Sequence, residues 1–107
     1  MKIAITGIGI VSALGIGAEA NKRELQAGVS HLQPAHILPT SHYEWHIGEV
    51  PYTNAQLAEL AGQSPDAALS RNVLLGLIAL REALADSSLS EEDLGSIPLV
   101  NGTTVGG

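Results

Sequence analysis

A layered α/β fold is the architecture this sequence predicts, and three features predict it. Ile3-Ala4-Ile5-Thr6 and Ile97 to Val100 are short apolar runs without polar alternation, the pattern of strands covered on both faces. Between them, a long stretch from about Asp66 to Ser87 repeats apolar residues at helical spacing on nearly every side. The order strand, helix, irregular insert, helix, strand then predicts a right-handed crossover that leaves the two strands parallel.

The opening stretch, MKIAITGIGIVSALGIG, organises the rest of the chain. Its strand is expected over 2–6. Gly7 and Gly9 are expected to let the backbone turn where a side chain would obstruct it. Ser12 and Gly15 then lead into a helix over 18–27, with Glu19 in its first turn and Lys22 and Arg23 further on, the charge order a helix dipole prefers. Gly28 stops that helix.

Residues 29–64 read as an irregular insert. Pro34, Pro39 and Pro51 break any helix, and all four histidines, His31, His36, His42 and His46, lie here. His42 and His46 have metal-like spacing, yet they would need a helix that the surrounding residues do not supply. With no Cys and only Glu44 and Glu49 nearby, exposed histidines are expected rather than a metal site. Trp45, Ile47 and Val50 predict a short covering strand. A brief helix follows from Thr53 to Leu60, capped by Thr53 or Asn54.

The helix over 66–87 carries one apolar seam of Val73, Leu77, Leu80 and Leu84 and a second of Leu74, Ile78 and Ala85. Leu75 and Ala79 fill much of the rest, so it needs cover on more than one side. Gly76 costs about 1 kcal/mol in helix propensity, which predicts a close approach by another element. Ser90 to Asp93 resembles a capped single turn. The strand over 97–101 runs into a glycine-rich loop, Asn101 to Gly107, where α/β folds place ligand-contacting residues.

Composition limits the functions open to the chain. A net charge of −6 with no basic cluster argues against nucleic acid and against anionic membrane surfaces. The absence of Cys removes disulfides, thiolate metal sites and a cysteine nucleophile. Lys2, the apolar run and Ala18-Glu19-Ala20 superficially match a signal peptide, but the glycines between Gly7 and Gly17 oppose the helix such a peptide needs. A cytoplasmic location is expected. Gly7-Ile8-Gly9-Ile10-Val11-Ser12 begins like a dinucleotide fingerprint with Ser12 in place of the third glycine. Neither glycine loop is followed by the Lys-Ser or Lys-Thr of a Walker sequence.

Together these motifs carry a resemblance. Ile5 to Gly15 closely resembles the opening of the β-ketoacyl-acyl carrier protein synthases, the condensing enzymes of fatty-acid and polyketide synthesis. Leu25-Gln26-Ala27-Gly28-Val29-Ser30 is similar to a second family motif. Ser70-Arg71, Glu82-Ala83-Leu84-Ala85-Asp86 and the Asn101-to-Gly107 loop follow in the family's order and spacing, while 32–64 matches least. The resemblance implies a thiolase-type fold of stacked helix and sheet layers. Residues 1–107 would then be a single partial domain, the opening part of its first half.

In such an enzyme a Cys at a helix N-terminus takes an acyl group from acyl carrier protein, and two histidines assist decarboxylation of the malonyl thioester. Backbone N–H groups hold the thioester oxyanion. None of those positions falls within these residues, so no catalytic residue, metal or cofactor is assigned here. What carries over is the glycine-rich loop, with Val105 as an apolar gate to the acyl pocket and Thr103 and Thr104 beside it as substrate-binding candidates. The segment is expected to be inactive alone and to form a homo-oligomer or be completed by another chain. Three alternatives stand beside this reading: a segment of a non-catalytic partner subunit like the chain-length factors, a small nucleotide-binding module using the first glycine turn, and a purely structural interaction domain.

Overall fold

The computed structural model describes residues 1–104. It is a small mixed α/β chain, with four helices and one two-stranded antiparallel sheet among the described residues. In order these are β1 (Val11–Ser12), β2 (Gly15–Ile16), α1 (Ala18–Ala27), α2 (Asn54–Leu60), α3 (Arg71–Asp86) and α4 (Glu91–Leu94).

The helices sit close to where the sequence places them, because each end is fixed by local chemistry. Gly28 closes α1 in the left-handed conformation at φ 67, which a side chain would disfavour. Thr53 and Gln56 form a reciprocal capping box at α2, and Ser90 and Asp93 form another at α4. The α3 helix begins at Arg71 rather than near Asp66. Ser70 is extended, and its hydroxyl accepts the Val73 N–H, so α3 cannot continue back through it.

The core is small. Leu57, Ala58 and Ala61 of α2 and its C-cap pack on Leu74 and Ile78 of α3, with Val11, Ile16, Val50 and Tyr52 against them. Arg71 joins the insert to this core: its guanidinium donates to the carbonyls of Val50 at 2.7 Å and Tyr52 at 2.9 Å. Asn21, buried on α1, donates to the carbonyls of Gly15 at 2.9 Å and Gly17 at 2.8 Å and accepts from the Ser12 hydroxyl. It thereby fixes the β1–β2 turn on the helix.

The strand expectations require correction. Residues 2–6 and 97–101 form no ladder, and the expected parallel crossover between them is not made. A strand is held by hydrogen bonds to a neighbour, and no described residue supplies one to either segment. The sheet that does form pairs Val11 with Ile16 and Ser12 with Gly15, in a stretch whose sequence suggests only a lead-in to the first helix. The expected strand around Trp45 shrinks to one antiparallel bridge between Gln33 and Ile47.

The accessible surface, 7885 Å², is well above the roughly 5,600 Å² of a compact monomer of this mass. The radius of gyration of 15.8 Å likewise exceeds the about 13 Å of a compact domain this long. Much of the surplus is apolar: Ile3 and Ile5 are 86% and 84% exposed, and Leu99 and Val100 are 75% and 91% exposed. Among the described residues no helix is long and apolar enough to cross a membrane.

Candidate functional site

Three of the stretches singled out by sequence meet at one place. From Gly7 to Ile10 the backbone lies directly on the second half of α3, without the turn expected at the glycines. A Cβ on Gly9 would stand 1.8 Å from the Ala79 carbonyl oxygen, and one on Gly7 would stand 2.1 Å from that of Ala83. Glycine is therefore required at both positions for close approach, not for turning. Two carboxylates one helical turn apart on α3 reach round to this backbone. Asp86 accepts the Ile8 N–H at 3.0 Å, and Glu82 accepts the Ile10 N–H at 2.9 Å.

Glu82 also accepts the Ala18 N–H at 2.7 Å, so one side chain ties the glycine segment to the first turn of α1. An N–H group at a helix start is short of an acceptor, and a carboxylate there also suits the helix dipole. The Gly17 N–H closes the loop by donating to the Ile10 carbonyl at 2.8 Å. In the sequence Glu82 and Asp86 stand out only as the ends of a motif. Their spacing of four on a helix, in a chain that also holds a G-x-G segment, is the signal that could have found them.

A second device of the same kind holds the insert. Glu49 is buried, and its carboxylate accepts the N–H groups of His36, Ile37 and Leu38 at 2.8, 2.9 and 2.6 Å. Burial alone would push its carboxyl up; the three backbone donors outweigh burial and hold it below the ordinary range. The histidines do not gather. His31 is paired with Glu24 at 2.9 Å, a bond that lowers the Glu24 carboxyl, and His42 stacks on Trp45 with centroids 4.3 Å apart. Among the described residues no three metal-ligating side chains come together.

The substrate-loop candidates fall beside α3. Thr103 lines a groove of about 430 Å³ whose walls are Val73, Gly76, Leu77 and Leu80 on one side and Leu99, Asn101 and Gly102 on the other. Asn72 and Thr103 are both engaged. Thr104 is exposed, and Val105 lies outside the described residues. The groove is within the size range of small-molecule sites and mainly apolar. Its polar lining among the described residues is Asn72, Asn101 and Thr103, and its apolar walls suit an aliphatic chain. Gly76 has nothing within 4 Å of its Cβ position, so the expected close approach there is not made by the described residues.

No family model, curated protein or solved structure matches the chain.

Proposed function

We propose that this chain is the N-terminal segment of a β-ketoacyl-acyl carrier protein synthase, inert by itself. The whole enzyme would be an acyltransferase that joins an acyl thioester to a malonyl thioester by decarboxylative condensation. One observation carries the reading. The motifs behind the resemblance, Ile5 to Gly15 and Glu82 to Asp86, are hydrogen-bonded to each other through Ile8–Asp86 and Ile10–Glu82. Residues far apart in sequence that resemble one family's motifs in order also support one another physically. The thiolase-type layering belongs to the same proposal: α3 keeps an apolar flank at Val73 and Leu80 that the described residues leave exposed. In a stacked fold that flank and the loop at Thr103, Thr104 and Val105 would face the acyl pocket, within a cytoplasmic dimer served by acyl carrier protein.

The nucleotide-binding alternative is disfavoured on electrostatic grounds. The N–H groups that would cradle a phosphate, on Ile8, Ile10 and Ala18, already face the carboxylates of Asp86 and Glu82. A phosphate would have to displace two negative charges. Titration with NAD or ATP is expected to show no binding.

Reading the coding sequence onward from Gly107 tests the main proposal. The expected result is a continuing frame that encodes a Cys nucleophile and two downstream histidines. A frame with the same fold pattern but no Cys would transfer the reading to a chain-length-factor-like subunit. A frame with none of these features would overturn both.

A further inference from the structure

Two of the chain's three aromatic residues stay outside the core, and they sit together. Tyr52 packs against the core, whereas Tyr43 and Trp45 are 60% and 59% exposed in the insert. The segment that carries them is a built turn. The Trp45 N–H donates to the His42 carbonyl at 3.1 Å, and the His42 N–H donates to the Thr40 hydroxyl oxygen at 3.0 Å. The rings of His42 and Trp45 stack with centroids 4.3 Å apart and planes 11° from parallel. Both ends of the turn are fixed, one by the Gln33–Ile47 bridge and the other by Glu49 at residues 36–38. Stacking covers one face of the indole, so the exposure of Trp45 belongs to its other face and its edge.

We infer that this turn is a docking point for an arginine side chain on a basic peptide segment of a partner protein. An aromatic face attracts a cation, Trp most strongly, and a planar guanidinium both stacks on an indole and pairs with a carboxylate. Glu44, between the two aromatics in sequence, supplies that carboxylate: its side chain is 66% exposed, with His42 Nδ1 at 3.5 Å. The surrounding charge favours the same ligand. From Glu24 to Ser70 the sequence holds five acidic residues and no Lys or Arg, so the insert itself offers no competing cation. A net charge of −6 attracts a basic segment and repels nucleic acid, the other ligand that stacks on aromatic rings. A turn already held in place loses little freedom on binding. The inference concerns the stretch that resembles the condensing enzymes least, and it does not rest on that proposal.

Trp45 is the chain's single tryptophan, so its fluorescence reports binding directly. Titration of the 107-residue chain with a blocked tetra-arginine peptide should give saturable quenching. Tetra-lysine should bind about threefold more weakly, and a neutral tetra-serine peptide should not bind. By calorimetry, Trp45→Ala should weaken tetra-arginine about fivefold, with Trp45→Phe recovering part of the loss. Glu44→Gln should weaken it about threefold. Glu91→Gln, an exposed site on α4 with the same change in net charge, should leave the affinity unchanged. No saturable quenching at millimolar tetra-arginine would overturn the inference. So would equal losses from Glu44→Gln and Glu91→Gln, which would show diffuse charge attraction only. Tighter binding of a neutral proline-rich peptide or a single-stranded oligonucleotide would overturn it as well.

Discussion

The helix α3 and the segment Met1 to Ile10 are both strongly apolar, yet they meet opposite fates. Residues Arg71 to Asp86 form a regular helix with Leu74 and Ile78 buried, while Ile3 and Ile5 lie in water. The difference lies in where each finds its hydrogen bonds. A helix satisfies its own backbone within four residues, so α3 needs neighbours only for its side chains. An extended segment finds its partners elsewhere. Where the described residues offer no second strand, carboxylates take over: Asp86 and Glu82 at Ile8 and Ile10, and Glu49 at residues 36–38. Backbone held by a side chain is a local substitute for a sheet.

The contact between the two regions is the place to break the comparison. Gly9→Ala sets a methyl group against the Ala79 carbonyl, and should destabilise the chain by about 4 kcal/mol, at the upper end of overpacking costs. Chemical denaturation measures it, and loss of Ile10 amide protection should accompany it. Leu74→Ala, on the buried face of α3, should cost about 3 kcal/mol in the same assay.

Glu49→Gln should cost about 2 kcal/mol, because three backbone donors lose a charged acceptor. It also has a pH signature. The Glu49 carboxyl is held below its ordinary value in the fold, so its stabilisation is full above the ordinary carboxylate range and disappears as pH falls through the folded value. The wild-type chain should therefore lose stability on acidification in that window, and Glu49→Gln should flatten the slope there. Gly76→Ala, with open space at its Cβ, should stabilise the chain by about 1 kcal/mol.

The sequence was most legible where structure is local. Thr53, Ser90 and Gly28 cap the helices as residue chemistry dictates, while the cap at Ser70 starts α3 later than the expected Asp66. Apolar runs alone misled, because Ile3 to Thr6 and Ile97 to Val100 look like buried strands whether or not partners exist in the same chain. Gly7 and Gly9 were visible as special, but their reason was not: close packing and turning leave the same mark in a sequence. The roles of Glu82, Asp86 and Glu49 depend on which backbone each carboxylate meets in space, and spacing along the chain does not reveal that. The groove beside Thr103 has an apolar wall on α3 that follows from the helical seam read in Val73, Leu77 and Leu80.

Carboxylates of α3 hold one edge of the first segment and leave its other edge free. Amide hydrogen exchange on the purified chain tests this most directly. Slow exchange is expected at Ile8, Ile10 and Ala18, with fast exchange at Ile3, Gly7 and Gly9. Equal exchange along the whole segment, fast or slow, would contradict it.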